Sequence, residues 1–115
     1  MQRLSGWLTG FMLMGMALVA GSAQAAAAPT EIALTIDQHQ FQPNEITVKA
    51  GTSFVLVITN RDTSAEEFES QELRIEKIIP AGKTVRVRMP ALKAGTYAFV
   101  GEYHAKTAHG RIVAE

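Results

Sequence analysis

From residue 31 onward the chain is divided into short apolar-alternating runs, each closed by a turn signal. That rhythm leaves room for strands and almost none for helices. Ile32, Leu34 and Ile36 share one face of 31–37, as in a half-buried strand. Residues 38–44 turn the chain, 45–49 resume the alternation, and Ala50 and Gly51 punctuate it. The apolar, β-branched run 53–60 reads as a central strand, and 61–65 has loop chemistry. Residues 66–79 fit two short strands, or a strand and a turn. Ala81 and Gly82 turn again, 84–89 alternates, 90–95 connects, and 96–100 and 111–113 complete the pattern. About seven short strands without a long helix predict an all-β, Greek-key antiparallel β-sandwich.

The segment before this pattern reads as an export signal. Arg3 gives a positive start, residues 7–19 are apolar, and Ala23 and Ala25 flank Gln24 in the small-x-small cleavage pattern. The expected division is a signal peptide over 1–25, a flexible lead-in over 26–30 and one domain over 31–115, with cleavage sites up to Ala28 almost as suitable. An uncleaved anchor is the competing reading, because no charge occurs between Arg3 and Glu31. The apolar part is short for a span of about 20 residues.

A small exported domain often relies on disulfides, and a chain of 115 residues without cysteine has none to use. A bacterial periplasm therefore fits better than a disulfide-stapled extracellular setting. Basic and acidic side chains number eleven each, and loss of Arg3 with the leader leaves a formal charge of −1. No basic surface is available to track a phosphate backbone, so nucleic acid is not an expected partner. Of the five methionines only Met89 lies outside the leader, which excludes Met-rich copper handling. The serines at 53, 64 and 70 have no histidine at an activating spacing, and no glycine-rich phosphate cradle occurs.

Two stretches resemble cupredoxin domains: 41–51 (FQPNEITVKAG) followed by 54–60, and 92–99 (LKAGTYAF) before the terminal loop. Residues 65–69 are similar to the segment that carries the first copper histidine in ordinary members. The resemblance extends over 31–115 and implies a cupredoxin-like sandwich. Within the family the chain resembles the EfeO-type cupredoxin-like domain of periplasmic iron-uptake systems, some of which are small proteins encoded with an iron permease. Members replace the upstream histidine with acidic residues, as Glu66, Glu67 and Glu69 do here. Some members carry cysteines where this chain has Phe41 and Gly101.

A blue-copper loop places histidine three residues after its cysteine and methionine three further on. Those positions fall on Gly101, His104 and Thr107, so only the histidine is present. A type 1 blue-copper centre, which needs a thiolate beside two imidazoles, is not expected. Glu102, next to the empty cysteine position, is a replacement oxygen ligand, and His109 can join His104 and Glu102 in a two-histidine, one-carboxylate set. His39, at the turn before Phe41, is a further candidate. Alternation puts Glu66 on the face of Phe68 and Glu67 and Glu69 on the other. Glu66 points at the site if Phe68 enters the core, and Glu67 and Glu69 do so if the strand slips by one. Glu72 and Glu76 read as surface charge, and Met89 as core.

An imidazole with carboxylates suits Fe(II), Fe(III), Cu(II) or Zn(II). The resemblance implies a periplasmic protein that binds iron or copper during ferrous iron uptake, with Fe(II) oxidation or hand-over to a membrane permease as its task and other iron-uptake components as partners. The alternatives are a metal-free interaction subunit that docks through its glutamates, and a Cu(II) delivery or tolerance protein.

Overall fold

The computed structural model describes residues 6, 15–17, 21 and 28–115. The segment read as a signal peptide therefore lies mostly outside the described residues. Among those described, no helix is long and apolar enough to cross a membrane.

Nine strands follow one another: β1 (Thr30–Asp37), β2 (Gln40–Gln42), β3 (Glu45–Val48), β4 (Phe54–Asn60), β5 (Glu66–Ser70), β6 (Ile75–Ile79), β7 (Thr84–Met89), β8 (Gly95–Gly101) and β9 (His109–Ala114). A 3₁₀ turn, Glu102–His104, follows β8. The strands form two sheets, β2-β1-β4-β7 and β3-β9-β8-β5-β6. The all-β sandwich expected from the alternation is present, with two differences. The run 38–48 contains two strands rather than one, because the chain leaves the first sheet after Gln42 and enters the second at Glu45. The sheets are mixed rather than antiparallel, since β1 lies parallel to β4 and β3 parallel to β9. Side-chain alternation is the same in both directions and carries no information on strand polarity.

β4 is central because its two faces are both covered. Phe54, Leu56 and Ile58 point into the core. Val55, also buried, lies on the outer face between Glu31 of β1 and Arg88 of β7. The long stems of such charged residues cover apolar surface while their heads stay in water. The core carries an aromatic cluster of Phe41, Phe68 and Phe99, with ring centroids 5.0 to 6.0 Å apart. Phe41 comes from the first sheet and the other two from the second, so the cluster fixes how the sheets face each other. Phe68 pairs with Gly101 across β5 and β8. That register sets where the residues just before it on β5 meet the loop just after β8.

Phe68→Ala removes the ring from this cluster and is expected to cost about 3–5 kcal/mol. Urea denaturation followed by circular dichroism checks the value.

Candidate metal centre

β1 and β2 are joined by a two-residue turn, Gln38 and His39, both with positive φ (51° and 58°). This is the type I′ geometry that matches the twist of a hairpin. Neither residue is glycine or asparagine, so the turn carries strain, on the order of 1–3 kcal/mol for each such residue, that the surroundings must offset. Asp62 does so. Its Oδ1 accepts the Gln38 N–H at 2.7 Å and its Oδ2 the His39 N–H at 3.0 Å. Asp62 is held in turn by buried Asn60. The Asn60 Oδ1 accepts the Asp62 N–H at 3.0 Å, while its amide nitrogen donates to the carbonyls of Ser64 and Ile79.

On the other sheet, the chain leaves β8 through the 3₁₀ turn and returns to β9. The Gly101 N–H donates to the Ala108 carbonyl at 2.8 Å, and the Ala108 N–H to the His104 carbonyl at 2.9 Å. Thr107 ties this loop to the hairpin, its hydroxyl donating to the His39 carbonyl at 2.6 Å. The result is a face-to-face stack of His39 on His104, with ring centroids 3.6 Å apart and planes inclined by 13°.

Beneath the stack lies Glu66, 1% exposed. Its Oε1 accepts the backbone N–H groups of Tyr103 (2.9 Å) and Glu67 (3.0 Å), and its Oε2 lies 2.6 Å from Nδ1 of His104. A carboxylate this deep requires such partners, because an unpaired buried charge costs several kcal/mol. One donor atom from each of His39, Glu66 and His104 falls within 4.8 Å of the other two. Among the described residues, no lysine or arginine takes part in these contacts. The donor set is two imidazoles and one carboxylate, which fits a divalent or trivalent transition-metal ion.

The register of β5 is the one in which Phe68 enters the core, so Glu66 faces the centre and Glu67 and Glu69 face outward. Glu67, Glu69 and Glu76 approach one another on that outer face. Glu102 is exposed and stands beside Glu69, away from the two stacked imidazoles. Its hydrogen bond with Glu69 is the largest cause that raises the Glu69 carboxyl above the ordinary carboxylate range, followed by partial burial and the charges of Glu102, Glu76 and Glu67. His109 is exposed on the outer face of β9, opposite Val100. The structure thus brings His39, Glu66 and His104 together, and does not bring Glu67, Glu69, Glu102 or His109 to them. In the expected Glu102–His104–His109 set, Glu102 of the 3₁₀ turn stands beside Glu69 and His109 lies on the outer face of β9, so neither is placed with His104.

A model of the cupredoxin-like domain matches residues 10–114. The chain belongs to the cupredoxin-like domain family. An uncharacterised protein of Rickettsia prowazekii (strain Madrid E) is 39% identical over 83 residues, covering 72% of this chain and 66% of that protein, just under two thirds of its length. Auracyanin A, a "blue" copper protein of Chloroflexus aurantiacus, superposes with a TM-score of 0.65 at 16% identity, over 76% of this chain and all of that one. The metal-binding domain of the Cu(I)-exporting P-type ATPase CopA of Streptococcus pneumoniae D39, determined with Cu(I), gives a TM-score of 0.63 at 15% identity, over 74% and 84% of the two chains. At such identities the likeness is one of fold.

This cupredoxin-like domain does not fit a type 1 centre. It has no cysteine, and the place from which a side chain at 101 would project is already filled. A Cβ on Gly101 would lie 2.7 Å from both Cδ of Glu66 and Cβ of Ala108. A carboxylate from β5 and a side chain at the end of β8 are therefore mutually exclusive. His39, Glu66 and His104, which the structure brings together, are among the candidates named from the sequence, whereas Asp62 and Asn60 are not. The available signal was a polar Asn60 ending an otherwise apolar strand, with an Asp two residues on.

Gly101→Ala is expected to cost about 1–3 kcal/mol by overpacking, and less in a Glu66→Ala background, as read from denaturant midpoints of the four proteins. The raised Glu69 carboxyl binds more protons in the folded than in the unfolded chain, so it weakens the fold as pH rises through that window. Glu69→Gln should raise the melting temperature at neutral pH, with the gain disappearing below the ordinary carboxylate range. A pH series of thermal melts reads this out.

Proposed function

We propose that this protein is a periplasmic metal-binding cupredoxin-like protein that serves ferrous iron uptake, holding an iron or copper ion with His39, Glu66 and His104. The observation that carries the reading is the buried Glu66 carboxylate, 2.6 Å from the His104 ring and under a second, stacked imidazole. A buried acid paired with imidazole at the loop end of this fold has no evident packing purpose, since an apolar residue there would cost less.

When bound, an iron or copper ion supplies one-electron redox chemistry. The chain's own residues determine which ion is held. Replacing sulfur by a carboxylate exchanges soft donors for hard ones, which favours Fe(II), Fe(III) or Cu(II) over Cu(I). Glu66 provides an oxygen donor held in place by two backbone N–H groups, and the two imidazoles provide nitrogen donors. His39, the more exposed ring at 44% against 28%, gives the ion access from solvent. These features suit Fe(II) oxidation or hand-over to a membrane permease, and the periplasm is the compartment that the leader sequence implies.

A second reading, Cu(II) delivery or tolerance, draws support from the fold neighbours, two of which are described as copper proteins. Metal analysis of protein purified from the periplasm without chelators separates the two. Iron content supports uptake, copper alone supports delivery, and an absence of both overturns the metal-binding role. In titrations with Fe(II) and Cu(II), Glu66→Ala and His104→Ala should each lose at least about tenfold in affinity, as for a lost ligand. Glu102→Ala and His109→Ala should bind like the parent.

A further inference from the structure

Ile78 and Tyr103 are the large apolar side chains that the domain leaves exposed among its described residues, at 56% and 49%. They lie on either side of one carboxylate. Ile78 of β6 pairs with Glu67 of β5. The Tyr103 phenol is raised above its ordinary range, first by desolvation and then by the charge of Glu67 and a hydrogen bond to it. Two residues along the same face of β5, Glu69 pairs with Glu76 of β6 and stands beside Glu102 of the 3₁₀ turn. The outer face of the second sheet thus presents two adjoining rows, Tyr103–Glu67–Ile78 and Glu102–Glu69–Glu76.

None of the ion pairs among the described residues involves these four carboxylates. Other exposed acids are paired, Glu31 with Arg86 and Glu45 with Arg111. One oxygen from each of Glu67, Glu69 and Glu76 comes within 4.8 Å of the other two, a crowding of like charge that the chain itself leaves uncompensated. Glutamates alone make a solvated surface. The two apolar side chains set among them are a separate signal, because a protein interface joins apolar anchors to a polar rim. A cavity beside the second row narrows the complementary charge to a single side chain. Glu69, Glu72 and Glu102 line it, and Ala98 and Val100 supply an apolar wall. A lysine or arginine can lay its methylene stem on such a wall while its cation meets the carboxylates.

We propose that this face is a docking surface for a protein partner whose own surface is basic around an apolar centre. The partner's lysine or arginine side chains meet Glu67, Glu69, Glu76 and Glu102, while Ile78 and Tyr103 are covered. The surface goes beyond the metal centre and needs no ion there, but the two adjoin. The backbone N–H groups of Glu67 and Tyr103 both hold the Glu66 carboxylate. A partner seated here lies against the strand and the turn that fix Glu66.

The full chain, 15N-labelled and metal-free, is titrated with reduced cytochrome c as the basic protein probe. At low salt, amide shifts should saturate and be confined to residues 67–69, 76–78 and 98–103. Raising the salt to about 0.15 M, where the screening length is about 8 Å, should weaken the complex. The pair Glu69→Gln and Glu76→Gln should weaken binding by about fivefold or more, and so should the pair Ile78→Ser and Tyr103→Ser, as for lost interface anchors. Glu31→Gln, on the other sheet, should leave binding unchanged. Shifts spread over both sheets, no saturable shift, or an equal loss with Glu31→Gln overturns the proposal. A loss with the glutamate pair and none with the apolar pair also overturns it, since the face is then unspecific charge. If a second copy of the chain covers this face instead, the same resonances move with protein concentration before any probe is added, and the basic partner is overturned.

Discussion

A single buried carboxylate organises the loop end of this molecule. Glu66 accepts two backbone N–H groups, one from its own strand and one from the 3₁₀ turn, and contacts the imidazole of His104. The turn after β8 therefore has its position set from β5, across the sheet, rather than by its own sequence. The same carboxylate occupies the volume beside Gly101, which requires glycine there for reasons of space and not of backbone conformation. Glu66, Gly101 and His104 depend on one another, and substitution at any one of them disturbs the other two.

Around this acid the fold divides the work between its sheets. The second sheet supplies Glu66 and His104, and the first supplies His39 from a hairpin whose strain is offset by Asp62. The phenylalanine cluster below the site fixes the spacing of the two sheets, and the Thr107 hydroxyl links them at the rim. Surface charge plays no part in this assembly. The glutamates 67, 69 and 76, with Glu102, stand close together on the outer face of the second sheet.

Much of this architecture is legible in the order of the residues alone. Period-two alternation marks the strands, because a half-buried strand must alternate, and it puts Glu66 on the face of Phe68, while which face turns inward is decided only by the packed sheet. Strand direction is not legible, since the parallel pairs β1·β4 and β3·β9 follow from how the chain crosses between sheets. Nor is the side of the sheet on which Glu102 and His109 project. Both lie next to the right loop in sequence, but a one-residue step in a strand or a tight turn reverses direction. Asp62 escapes a sequence reading for a different reason: its role is carried by backbone contacts to a turn 23 residues earlier, and no local pattern encodes those.

His39 and His104 are stacked although 65 positions separate them, and nearly all of the sandwich is built from the residues between. A chain made from its N-terminus presents the hairpin early, yet the second imidazole arrives only with the loop after β8. Contacts this distant in sequence form late, because the entropy of closing so large a loop must be met before they contribute. The histidine stack thus depends on both sheets having been brought together, and any ion held there would find its two imidazoles side by side only on an assembled sandwich.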